Sequence, residues 1–387
     1  MNQSVKKKKI LFIISSLNGG GAERAIVEML KRFDFTRFDV TLCVIFYEGV
    51  YFDQLPSEVK VVYVWPKVGE GGYWVNSLRR KAFRQYYRRG SSLFFRWTVY
   101  YRIRERNFDT IVSYLEGVPL LFHSFLYQRA KRNISWIHCD LAAYHWSEEV
   151  FPKKGSEEAC YAKMDELVFV SNNILQSFIH LYPQLKMPMR CIYNVIDVER
   201  IRELSKQAVI PHQRFTIIAI GTLIPVKGFD RLLRVARLFK DYGYDLQFQI
   251  LGRGEDEDSL KALSRSLDVD DSVQFLGFQP SPYPYLAAAD ILLSTSRSEA
   301  LPFVICEALA LGIPVVATRT AGSSELLNEG KYGILVEQDD KSVFEGIRLL
   351  VDNKEVRKQY QQKACERASI FRVNHTMEQI YNLLEGV

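Results

Sequence analysis

Three consecutive stretches leave this chain few ways to fold: Ile291-Leu292-Leu293, then Ser298 to Gly312, then Ile313-Pro314-Val315-Val316-Ala317. The outer two are short apolar runs of the kind that form buried strands. Between them Val304 to Leu311 has helical composition and is apolar except for one carboxylate, Glu307. Strand, short loop, buried helix and strand make a unit of a parallel α/β sheet, in which helices cover both faces. Two residues of this unit call for a chemical reason. Glu299 falls in the loop at the carboxyl end of the first strand, where such sheets bind ligands. Glu307 falls inside the apolar helix, where a carboxylate is costly unless it meets a partner. The N–H groups that open the helix, near Leu301, Phe303 and Val304, suit an anion. A loop carboxylate, a helix N-terminus and a second carboxylate two turns on would hold a sugar, a phosphate and a ribose in that order.

The rest of the chain repeats the rhythm. At 387 residues it is too long for one ordinary core, and two domains are expected. With 48% hydrophobic and 25% charged residues, it is neither a disordered nor a fibrous chain. Six cysteines (Cys43, Cys139, Cys160, Cys191, Cys306, Cys365) are scattered singly, without zinc or disulfide spacing, so a reducing, cytoplasmic setting is expected. Lys6 to Lys9 before Ile10 to Ile14 has the look of a signal peptide. The apolar run is short, however, and Ser-Ser-Leu-Asn-Gly-Gly-Gly follows in place of a cleavage site, so a first strand is expected. No apolar run is long enough to span a bilayer.

Further strands are expected in the first half at Val40–Phe46, Val59–Val64, Phe108–Tyr114 and Asp165–Ser171, and within Asn133–Asp140, which reads as a strand ending in a polar loop. In the second half they are expected at Phe215–Ile220, Leu246–Leu251, Val273–Phe278 and Tyr332–Val336. Glycine-bearing turns follow several of them: Gly19-Gly20-Gly21, Gly221-Thr222, and Gly252-Arg253-Gly254. Glycine there lets the backbone approach a ligand closely and bares N–H groups to a phosphate. Asp256-Glu257-Asp258 reads as a helix start, where acidic residues offset the macrodipole, and no metal ligands are assigned. The segment 79–106 stands apart, with ten Arg or Lys against one acid, Glu105, and eight interleaved aromatics. Cations beside Trp, Tyr and Phe suit an anionic membrane surface. No RNA-binding motif accompanies them, so nucleic acid is not an expected partner.

The spacing Glu299-x7-Glu307, the string Gly20-Gly21-Ala22-Glu23-Arg24, Trp136-Ile137-His138-x-Asp140 and Lys227-Gly228 occur here in one order. Together they resemble the motifs of the retaining, GT-B-type glycosyltransferases of family 4. The resemblance implies an α/β chain of two Rossmann-like, doubly wound domains with an interdomain cleft, and a C-terminal helix returning to the first domain. Residues 1–194 would form the acceptor-side domain, 195–368 the nucleotide-sugar domain and 369–387 the returning helix. By the same resemblance His138, Lys227 and Glu299 are catalytic. Gly20, Gly21, Thr222, Arg253, Leu301, Phe303, Val304 and Glu307 bind the donor. Glu299 meets sugar hydroxyls, Glu307 the ribose, and Lys227 the diphosphate.

One position departs from the pattern: the family's usual Arg after Gly221 is Thr222, which implies weaker donor binding, an impaired enzyme or, the favoured reading, a replacement cation from Arg319, Arg297 or Arg24. The implied reaction moves a hexose or N-acetylhexosamine from a UDP- or GDP-sugar to a hydroxyl of a lipid-linked or polysaccharide acceptor. The nucleotide-sugar is a co-substrate; no cofactor is implied and no divalent metal is required. Peripheral attachment to the inner face of the cell membrane through 79–106 is expected. Two alternatives are a nucleotide-sugar epimerase of the same fold and a non-catalytic donor-binding partner of another transferase.

Overall fold

The computed structural model describes residues 6–65, 92–105, 107–151, 153–211 and 213–386. They form two compact units, one of Met1–Val195 with Asn374–Val387 and the other of Ile196–Val373.

In the first unit seven strands lie in one sheet: β1 (Lys8–Ile14), β2 (Phe38–Phe46), β3 (Lys60–Trp65), β4 (Phe108–Ser113), β5 (Ala130–Ile137), β6 (Glu166–Phe169) and β7 (Met189–Cys191). Their order is β3-β2-β1-β4-β5-β6-β7, and every pairing is parallel. The order reverses between β1 and β4, and such reversals open a crevice at the carboxyl ends of the strands. Ile10 to Ile14 have no exposed surface, as expected of a central strand covered on both faces. The last helix, Val373–Glu385, is tied into this unit by its polar atoms. Tyr381 accepts from the Asp34 N–H at 3.0 Å and donates to the Arg32 carbonyl at 2.9 Å. Its ring stacks on Phe38, with centroids 5.5 Å apart. Arg37 pairs with Glu385 at 2.6 Å.

The second unit has β8 (Phe215–Ile220), β9 (Leu246–Leu251), β10 (Val273–Gly277), β11 (Ile291–Ser294), β12 (Val315–Thr318) and β13 (Ile334–Val336). These run in the order β10-β9-β8-β11-β12-β13, again all parallel, with the reversal between β8 and β11. The helix Phe303–Leu311 is apolar apart from Glu307, and its residues from Ile305 to Ala310 are all buried. Its own sheet lies on one side, and the helices Val198–Ser205 and Lys354–Arg367 pack on the others. It ends at Gly312, whose φ of 71° suits a residue without Cβ.

Candidate active site

In the second unit the loops after β8 and β11 flank the reversal of strand order, and they carry the two charged residues singled out above. Lys227 Nζ lies 2.5 Å from Glu299 Oε1, with both side chains mostly buried. Ser296 Oγ donates to the same carboxylate oxygen at 2.8 Å. The backbone forces this meeting. The Arg297 N–H donates to the Val226 carbonyl at 2.7 Å, and Thr295 Oγ1 donates to the Lys227 carbonyl at 3.1 Å. Gly228, at φ 67°, lies so close to the Thr295 carbonyl that an added Cβ would sit 2.2 Å from its oxygen. Across the loops the Gly322 N–H donates to the Glu299 carbonyl at 2.8 Å.

Below these loops lies Arg231, which the sequence reading passed over. It is buried, and its two terminal nitrogens donate to the Thr295 and Gln338 carbonyls, both at 2.8 Å. Burial, with Arg297 close by, lowers its pKa. An amphipathic basic helix gives no hint of which cation turns inward, so only the fold reveals it.

Glu307 is 1% exposed on the helix Phe303–Leu311. The first-turn N–H groups of this helix, at Phe303 and Val304, open beside the loop that carries Glu299, while Leu301 is buried. Thr222 is exposed at the end of β8. Two of the cations expected to stand in for an Arg there are already engaged. Arg297 forks onto Asp230 at 2.9 and 2.7 Å, and Arg319 reaches Glu329 at 2.8 Å and Glu337 at 3.3 Å. Burial works against the Asp230 carboxylate, but Arg297 and Arg234 hold its pKa below the ordinary value. Arg253 is exposed in the loop next to Thr222, and its carbonyl accepts from the Leu223 N–H at 3.0 Å. Glu257 and Asp258 lie in the first turn of the helix Glu257–Ser266, and Glu257 pairs with Lys261 at 2.7 Å.

In the first unit the loop after β1 carries Gly20 as N-cap and Gly21 as first residue of the helix Gly21–Leu30. The Leu17 N–H donates to the Glu48 carbonyl at 2.9 Å, which fixes the loop's start. His138 follows β5. Its Nε2 is buried without a partner, its ring lies 4.8 Å from that of Tyr114, and burial lowers its pKa to about 3, so the ring is neutral. Asp140 caps the same loop, accepting from the Ala142 and Ala143 N–H groups at 3.2 Å each and from Ser177 at 2.9 Å. Residues 79–91 and 106 of the basic segment lie outside the described residues. Beside them, the helix Ser92–Arg102 exposes Trp97 and Tyr101, stacked with centroids 5.6 Å apart, and Arg104 lies over Tyr101. Among the described residues no helix is long and apolar enough to cross a membrane.

Known proteins resemble this chain in sequence and in fold. The chain is 31% identical over 213 residues to an N-acetylgalactosaminyltransferase of Campylobacter jejuni that acts on a diphospho-undecaprenol-linked sugar, covering 54% of this chain and 57% of that one. It is 33% identical over 161 residues to the lipopolysaccharide core biosynthesis glycosyltransferase LpsE of Rhizobium meliloti, covering 41% and 46% respectively. The matches thus span about half the length of these relatives. The structure of HepE from Anabaena in complex with UDP superposes with a TM-score of 0.72 at 20% identity, covering 98% of this chain and all of that one, which shows the GT-B fold. Residues 19–200 match the model of Glycosyltransferase Family 4 and residues 200–367 that of Glycosyl transferases group 1. The two matches meet at residue 200, and the chain belongs to the group 1, family 4 glycosyltransferases.

Proposed function

We propose that the protein transfers a hexose or N-acetylhexosamine from a nucleotide-sugar, with UDP the favoured carrier, to a hydroxyl of a lipid-linked or polysaccharide acceptor. The observation that carries this reading is the Lys227–Glu299 pair at the β8/β11 reversal. A sugar hydroxyl can replace the ammonium on Glu299, which leaves Lys227 to face the diphosphate. The helix opening at Phe303 and Val304 adds its dipole, and Glu307 takes the ribose. As the glycosidic bond breaks, negative charge grows on the leaving diphosphate, and a cation in a water-poor site stabilises it most at that moment. The departing phosphate then takes the acceptor's proton on the face it leaves, so configuration is retained and no covalent nucleophile is needed. His138, neutral, donates or accepts a hydrogen bond at the donor sugar. With Lys227 meeting the leaving group, turnover is expected to survive EDTA.

Acceptor-dependent release of nucleotide from a panel of UDP- and GDP-sugars, with lipid-linked glycans supplied, tests the reading. Turnover that vanishes in Glu299→Ala supports transfer. Epimerised sugar released without acceptor would mark an epimerase. Saturable nucleotide binding without turnover would mark a donor-binding partner.

Membrane attachment is the second part of the reading, and its support is the exposed Trp97–Tyr101 stack among arginines. Tryptophan and tyrosine favour the headgroup region, where an apolar ring and a polar tip are both satisfied. The double variant Trp97→Ala/Tyr101→Ala is expected to weaken co-sedimentation with anionic vesicles by about tenfold, at roughly 0.7 kcal/mol per ring. Unchanged pelleting would remove this part of the reading and leave the transfer chemistry intact.

A further inference from the structure

Glu116 lies in the first unit at the place Glu299 takes in the second, in the loop after the strand that flanks the reversal of order. It was not singled out by the sequence, where it follows β4 as an ordinary loop acid. The structure gives it no exposed surface. Its Oε1 accepts from two successive backbone N–H groups, those of His138 and Cys139, both at 2.6 Å. Its Oε2 is buried with no partner. Gly117, at φ 71°, admits Trp146 so closely that an added Cβ would meet the indole at 2.7 Å.

This is a costly way to fasten a loop. A buried carboxyl with one idle oxygen is penalised, whereas an amide or hydroxyl accepts the same N–H bonds at lower cost. Burial raises its pKa to about 7, against the pull of the N–H bonds, and Glu157 adds to the rise. What the carboxyl fixes is the pair of peptides on either side of His138, and hence where the ring sets its unpaired Nε2.

We propose that Glu116 is a positioning residue for sugar transfer, holding the His138–Cys139 peptides so that the imidazole is aimed before substrate arrives. The inference rests on the reading of His138 as a sugar contact given above. An error of about 1 Å in such a group costs on the order of 10²-fold in rate.

The test is a double-mutant cycle on the full chain, read as kcat and donor KM. Glu116→Ala is expected to lower kcat about 100-fold with donor KM nearly unchanged. Combined with His138→Ala it should cost nothing beyond His138→Ala alone, because a group that acts through His138 has no effect without it. Glu116→Gln should restore most of the rate, since its carbonyl oxygen accepts both N–H bonds. If the alanine variant fails to fold, Glu116→Asp, shorter by one methylene, takes its place in the cycle. A kcat within about threefold of wild type, or losses that multiply in the double variant, overturns the proposal. Failure of the underlying reading looks different: the wild-type enzyme itself would then show no acceptor-dependent turnover, or His138→Ala would leave kcat unchanged.

Discussion

Lys227→Ala is expected to lower kcat/KM about 10²–10³-fold, the equivalent of about 3–4 kcal/mol of transition-state stabilisation. The size follows from where the ammonium sits. Both Lys227 and Glu299 are mostly buried, so the charge acts across a medium that screens it poorly. Few other cations near that loop are free to help. Arg297 is held by Asp230, Arg319 by Glu329 and Glu337, and Arg231 spends its terminal nitrogens on two carbonyls. The loss should appear chiefly in kcat, because charge on the diphosphate grows as the bond breaks. Inhibition by UDP should weaken while inhibition by uridine, which lacks the phosphates, stays as it was. Equal weakening of both would place Lys227 at the nucleoside instead.

Gly252→Ala should be the most damaging single methyl in the second unit. Gly252 has φ 145°, and a Cβ there would stand 1.8 Å from the Gly221 carbonyl oxygen. Neither atom can yield, since the Gly221 N–H is bonded to the Leu251 carbonyl and the Gly252 N–H to that of Gly277. The chain must either rotate away from its φ or push β8 and β9 apart. Strain of about 1–3 kcal/mol from the backbone and a similar cost from overpacking give roughly 2–6 kcal/mol together. Gly155→Ala is the control. Its φ is 76°, yet nothing lies within 4 Å of the new methyl, so it should cost only about 1–2 kcal/mol. Urea denaturation followed by far-UV circular dichroism gives both numbers, and equal midpoints would show that the close approach at Gly252 is not tight.

Much of this molecule could be read from residue order because its strands are central and parallel. Phe215–Ile220 and Leu246–Leu251 fall on the expected limits, since an apolar run covered on both faces stops where the burial stops. Met189–Cys191 is harder to see: three residues on a sheet edge carry no periodic signal. Lys227 and Glu299 could each be found, but not their pairing, because 72 residues separate them and only the strand order brings their loops together. Glu116 was missed for the same reason. Tyr114-Leu115-Glu116-Gly117 looks like any strand end until β5 is laid beside β4 and the two N–H groups just past its end donate to the carboxylate.

The central claim is that the loops after β8 and β11 grip the diphosphate of an activated sugar. A crystal structure of the enzyme soaked with UDP tests it most directly. The account predicts phosphate oxygens within about 3 Å of Lys227 Nζ, the ribose at Glu307, and the Lys227–Glu299 contact lengthened or broken. A diphosphate bound elsewhere, with Lys227 still closed on Glu299, would contradict it.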